Sequence, residues 1–198
     1  MPELPTIGVP PRERADAARN RRRVLAAADR LFARDGVDGV SLDAIATAAG
    51  VGKGTVFRRF GSKAGLASAL LDERERELQA GVLSGPPPLG PGAPPADRLR
   101  AFVTGYLDLL ERNLELVHLS ETAHPGARYQ VGAYRFWRMH VSVLLAELDP
   151  TLDAEYAAHA LLAPLSADLN RALITDGLDI DRIRAGLTAL LDRFLGSH

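Results

Sequence analysis

At 198 residues, 46% of them apolar, the chain has room for one moderate domain, or for a small domain and a larger one, with a real core. It has no cysteine, which excludes disulfides and thiolate metal sites. No run approaches the roughly 20 apolar residues that span a bilayer, and the opening MPELPTIGVPPRERAD lacks the apolar stretch of a signal peptide, so a cytoplasmic protein without membrane contact is expected. The net charge of -1 conceals an asymmetry: residues 1–65 carry 12 Lys/Arg against 7 Asp/Glu, and the remainder carries 12 against 18. A basic front and an acidic rear point to a polyanionic partner for the front alone.

Residues 1–15, with their prolines and mixed charges, read as a loose arm. A helix is predicted from Asp16 to Arg34, with Val24, Leu25, Ala28, Leu31 and Phe32 on one face, and Asp35-Gly36 ends it. Ser41 is an N-cap for a second helix, Asp43 suits its positive end, Ile45, Ala46 and Ala49 form its buried side, and Gly50 stops it. A third helix spans Lys53 to Phe60, with Val56 and Phe60 four apart. Gly61-Ser62 is a turn and cap, and a fourth helix runs from Lys63 into the 70s or early 80s, its Asp72–Glu77 stretch reading as a solvated face. The GPPPLGPGAPP run at 85–95 is predicted to be an exposed loop or semi-rigid linker. Beyond it, helices are predicted over about 97–112, 114–123, 127–148, 152–175 and 179–195, separated at Pro125-Gly126, Asp149-Pro150 and Asp176-Gly177. No segment alternates with period two, so the chain is expected to be all-α: a three-helix, helix-turn-helix domain over 16–65 and a helical domain over 66–198.

The stretch Ser41–Leu66 holds both lysines of the chain, Lys53 and Lys63. Gly52-Lys53-Gly54 is a poor way to start a helix. Glycine caps less well than serine, a cation at the first helical position opposes the dipole, and Gly54 costs about 1 kcal/mol relative to alanine. Three unfavourable choices in a row point to function. Small residues let a duplex approach the backbone, and free N–H groups, the dipole and lysine attract phosphate. With Val56 and Phe60 packed inward, Lys53, Gly54, Thr55, Phe57, Arg58 and Arg59 are left for DNA, Lys53 and Thr55 for base edges. Ser41, Arg22 and the cluster Arg19, Arg21, Arg22 and Arg23 are further DNA candidates. AGVGKGT at 49–55 is not a phosphate-binding P-loop: Thr47 stands where its first glycine belongs, and Gly54 where Ser or Thr should hold magnesium.

Ile45-Ala46-Thr47-Ala48-Ala49-Gly50-Val51, Gly54-Thr55-Val56-Phe57-Arg58-Arg59-Phe60 and Lys63-Ala64-Gly65-Leu66 together resemble the N-terminal domain of the tetracycline-repressor (TetR) family of transcription factors, over about residues 20–70. Phe57 departs from the usual tyrosine and Gly52 from a frequent serine. The resemblance implies that Lys63 binds phosphate and that Phe60 is core. It also implies a helical second domain with a homodimer interface and a small-molecule pocket, and a repressor released from a palindromic operator by an effector.

For the second domain, Ile180, Ile183, Leu187, Leu190, Leu191 and Phe194 share one side of the last helix, and Leu161, Leu162, Leu165, Leu169 and Leu173 line the preceding one. Together they could form a four-helix bundle across a two-fold axis, or simply build the monomer core. The effector region is read between His118 and His140, with His118, Glu121, His124, Tyr129, Trp137, Arg138 and His140 as candidates. Histidines 118, 124, 140 and 159 lack tight ligand spacing, so no metal or cofactor is expected, and no catalytic grouping is readable. Two alternatives stay open: a constitutive DNA-binding protein without an effector, and an enzyme using the Trp137 region.

Overall fold

The computed structural model describes residues 11–196; of the arm expected at 1–15, residues 1–10 lie outside them and residues 11–15 are helical. Ten α-helices and one 3₁₀ turn account for the regular structure, with no strand among the described residues. The chain divides into two compact units between Ala69 and Leu70.

In the first unit, α1 (Pro11–Asp35) begins five residues before the predicted start. Proline at the first helical position loses no bonded N–H. Val24, Leu25, Ala27, Ala28 and Phe32 of α1 are buried. α2 (Leu42–Ala49) is capped at both ends. Ser41 Oγ accepts from the Ala44 amide at 3.1 Å. Gly50, in the left-handed region at φ 61°, lets its own N–H reach Thr47 O and the Val51 N–H reach Ala46 O, the paired bonds of a Schellman cap. Three residues then lead to α3 (Lys53–Phe60), whose Val56 packs with Ile45, Ala46 and Ala49 in the unit's core. Gly61, at φ 71°, ends α3, and Ser62 Oγ accepts from the Gly65 amide to open α4 (Lys63–Ser84).

The second unit is built around α5 (Pro95–Glu121), whose Leu99, Phe102, Leu107 and Leu110 are fully buried. The break expected at residue 113 is a kink inside one helix. Asn113 leaves helical geometry (φ -135°, ψ 18°), and its side chain donates to Leu109 O at 2.7 Å and accepts from Arg74. The proline-rich segment 85–94 packs against α4. Leu89 sits where a Cβ on Gly81 would come within 2.6 Å of it, and the Arg98 guanidinium donates to Leu89 O at 3.5 Å and Val82 O at 3.2 Å.

Two predicted helices are divided. Residues 127–148 form α6 (Ala127–Gln130) and α7 (Gly132–Leu148), separated by extended Val131. Residues 152–175 form α8 (Ala154–Leu162), the 3₁₀ turn Ala163–Leu165 and α9 (Ala167–Thr175). Pro164 cannot continue an α-helix, and Ser166 recaps the chain by accepting from the Leu169 amide at 3.3 Å. α10 (Ile180–Leu195), capped by Asp179, packs on α5. No helix among the described residues is long and apolar enough to cross a membrane.

Candidate functional site

The corner made by α2 and α3 presents the leading end of α3 to solvent. Gly52, at its N-cap, offers no side-chain cap. Thr55 is the first residue whose amide is bonded back, to Gly52 O at 2.9 Å, so the amides of Lys53 and Gly54 belong to the unsatisfied first turn. A Cβ on Gly54 would meet nothing within 4 Å. The glycine therefore relieves no crowding within the free protein. Phe57 is 63% exposed, and Arg58 and Arg59 are also exposed. Thr55, Arg58, Arg59 and half-buried Phe60 line an open groove of about 510 Å³ together with Asp16, Asn20 and Arg21 of α1.

The other expected contacts divide by what their side chains already do. Arg22 is exposed. Arg19 pairs with Asp16 at 2.9 Å, one turn away. Arg23 donates to Gly50 O at 3.2 Å, holding α1 against the end of α2. Ser41 caps α2. Lys63 donates to Val37 O at 2.9 Å and Asp38 O at 3.4 Å, so its ammonium secures the loop between α1 and α2. Lys53 bonds Asp43 Oδ2 at 2.7 Å across the corner. That partner was not readable in the sequence, where Asp43 is explained by the helix dipole alone.

The segment 24–70, which contains this corner, matches the family described as bacterial regulatory proteins, tetR family. That segment belongs to the tetR family of bacterial regulatory proteins. Solved structures share the fold of this chain across nearly the whole length. A transcriptional regulator from Pectobacterium atrosepticum is 21% identical, with 92% of this chain and 95% of that one covered at a TM-score of 0.65. The fatty acid degradation regulator FadR from Bacillus halodurans is 19% identical, with 87% and 94% covered at 0.62. NalD from Pseudomonas aeruginosa, described as the secondary repressor of the MexAB-OprM multidrug efflux pump, is 23% identical, with 90% and 96% covered at 0.56. No curated protein sequence matches the chain significantly.

The effector candidates occupy different surroundings. Trp137 and His140, one helical turn apart on α7, face Phe102 of α5, each with its ring centroid 5.4 Å from that of Phe102; Tyr106 meets Trp137 edge-on at 6.1 Å. Trp137 Nε1 and His140 Nε2 are buried without a hydrogen-bond partner. Burial, reinforced by Arg98, pulls the imidazole of His140 down to about 4, so the ring is neutral at physiological pH. Glu121 accepts from Arg128 and from the Ala167 amide at 2.9 Å, and Arg128 also donates to Leu162 O at 2.8 Å. Burial raises the Glu121 carboxyl above its usual range, with Arg128 opposing. Half-buried His118 lies 3.3 Å from the Arg171 guanidinium. His124 and Tyr129 are exposed, and Arg138 pairs with Glu155 at the surface. Sequence reasoning missed Arg128 and the buried Glu75, because pairings and burial that depend on distant elements leave no local pattern. An apolar cleft of about 280 Å³ lies elsewhere in the unit, between α5, α7, α8 and α10, lined by Ala157, Leu161, Leu187, Leu190 and Phe194 among others.

Proposed function

We propose that this protein is a homodimeric repressor that binds a palindromic operator and is released by a small-molecule effector. The observation that carries the DNA end is the unfilled space at Gly54. A helix start stripped of side chains, with free amides, relieves no crowding within the free protein and fits a duplex pressed against it. Lys53 and Thr55 address base edges, Arg58, Arg59 and Arg22 address phosphates or bases, and Phe57 lies against the groove wall. Lys63 and Ser41 act by fixing the loop and helix that orient this face, and a remaining Lys63 proton is available to phosphate.

Dimerisation is supported by the outer face of α10, where Leu190 is 63% exposed beside Leu187 and Phe194 above the apolar cleft. One short helix buries too little to read a site alone; two on a dyad read half-sites about 34–36 Å apart or multiples of that spacing. Effector binding is supported by the aromatic box of Phe102, Tyr106, Trp137 and His140, whose two unpartnered ring nitrogens would hydrogen-bond a polar group. An effector releases DNA only to the extent that it binds the DNA-incompetent state more tightly.

Selection of bound duplexes from a random pool tests the reading. A two-fold symmetric consensus is the expected result, and failure to retard any duplex even at low ionic strength would overturn it. Trp137 is the only tryptophan, so its emission reports effector binding directly.

A further inference from the structure

We propose that Asp43 and Lys53 act as one unit that reads a single G·C base pair in each half-site. The inference rests on the DNA-binding reading above and goes beyond it by assigning the letter read and by giving an acidic residue a direct role.

Asp43 Oδ2 and Lys53 Nζ are 2.7 Å apart, and the two side chains remain 58% and 71% exposed. Each sits in the first turn of its helix, Asp43 on α2 and Lys53 on α3, so the pair bridges the corner at the end expected to enter the groove. Asp43 is well anchored: Ser41 caps its helix, and its own carbonyl accepts from Thr47 Oγ1 at 2.9 Å. An exposed ion pair adds little to stability, and a carboxylate on a face meant for phosphates repels them. The α2 dipole favours a carboxylate at this position, and exposed on this face it is also placed to accept from a donor in the groove.

The major-groove edge of a G·C pair supplies that donor beside an acceptor. Guanine offers O6 and N7 as acceptors, and cytosine offers the N4 amino group as donor. O6 and N4 are joined by the base pair's own hydrogen bond, about 2.9 Å long, close to the separation of the protein pair. Bonding to Asp43 engages one ammonium proton and leaves two for O6 and N7; the carboxylate keeps lone pairs for the outward N4 hydrogen. The unit therefore presents donor beside acceptor to acceptor beside donor, at matching spacing. An A·T pair places its N6 donor between two separated acceptors, adenine N7 and thymine O4, so a lysine beside the carboxylate meets one acceptor, whereas guanine sets O6 and N7 side by side for it. The unit also carries no net charge, so it contributes nothing to indiscriminate attraction toward phosphate.

The test is duplex selection from a random pool by the wild-type chain, Asp43→Ala and Lys53→Ala, followed by titration of the wild-type consensus and of the same duplex with the assigned G·C pair changed to A·T. The expected consensus holds one G·C pair per half-site that both variants relax. The base change should weaken wild-type binding on the order of tenfold to a hundredfold and weaken Asp43→Ala far less. The base change with the wild-type chain requires no variant to fold, and far-ultraviolet circular dichroism checks those that are used. An equal loss in wild type and Asp43→Ala, relaxation of different positions by the two variants, relaxation of an A·T pair, or uniformly tighter binding by Asp43→Ala would each overturn the assignment. Wild-type binding to every duplex alike would overturn it and leave DNA binding standing; absence of all wild-type binding would remove the underlying reading as well.

Discussion

Gly54 separates stability from function at a single position. Its φ is not positive, and an added methyl would meet open space, so alanine fits the folded chain and removes the entropic cost of glycine in a helix. Gly54→Ala is expected to stabilise the first unit by about 1 kcal/mol in thermal or urea unfolding, yet to weaken operator binding in a gel-retardation titration. A variant that gained stability and bound DNA normally would show that no backbone approach occurs there. Glu75 of α4 sets a second expectation. Burial, then the Asp72 and Glu121 carboxylates, push its carboxyl up to about 8, well above its ordinary value of 4.5. The folded chain therefore holds a proton that the unfolded chain has released, and stability falls as pH rises from the ordinary value through the raised one. The slope attributable to this group is at most about 1.4 kcal/mol per pH unit. Glu75→Gln should flatten the decline between pH 6.5 and 8 and leave the variant more stable than wild type above it, measured by urea unfolding at each pH. His140 moves in the opposite sense, losing stability as pH falls from 6.5 toward 4, and so stays out of that window.

Helix ends in the second unit are tied together by one buried ion pair. Glu121 closes α5 and accepts the first amide of α9, while Arg128 of α6 reaches Glu121 and the terminal carbonyl of α8. Glu121→Ala would strand a buried guanidinium and leave the Ala167 amide without its acceptor, costing about 3–5 kcal/mol. Glu121→Gln, which keeps an acceptor, should cost less in the same denaturation series. This tie also explains which features were legible beforehand. α2 and α3 were readable to the residue because their ends are set locally, by Ser41, Gly50, Gly52 and Gly61. The break at Pro164 was hidden because leucines on either side continue a helical period across it. The kink at Asn113 showed only as a gap, since its cause is a side-chain bond to Arg74, 39 residues away. At the DNA face the exposed residues of α3 could be named from period and composition, but not the engagement of Lys53 by Asp43 or of Lys63 by the 37–38 carbonyls, which depend on how the chain turns. Of the effector candidates, the aromatic box drew together Trp137 and His140, whereas His124, Tyr129 and Arg138 were grouped with them only by nearness in sequence.

For the molecule as a whole, function as proposed requires two copies, and the exposed leucines of α9 and α10 are the face proposed for the second. The sequence offered one apolar set, which the structure divides. Leu162, Leu165, Ile183 and Leu191 are buried within the unit, whereas Leu190 and Leu169 remain exposed. The first group holds the monomer together; Leu190 is the residue whose exposure a partner would relieve. Across a dyad one substitution acts twice, and arginine there would set two like charges against an apolar seam. Losing the burial of two leucines alone removes about 3–6 kcal/mol, enough to raise the dimer dissociation constant on the order of a hundredfold to ten-thousandfold. Leu190→Arg is therefore expected to halve the mass found by light scattering at micromolar concentration. Its helical content should stay unchanged, because the side chain contributes little within one copy. Operator retardation should fall with it, since a lone corner of α2 and α3 must bind its half-site without its mate. A variant that stays dimeric would move the interface off this face of α10, and a monomer that retards the full operator as tightly as wild type would remove the need for a dimer.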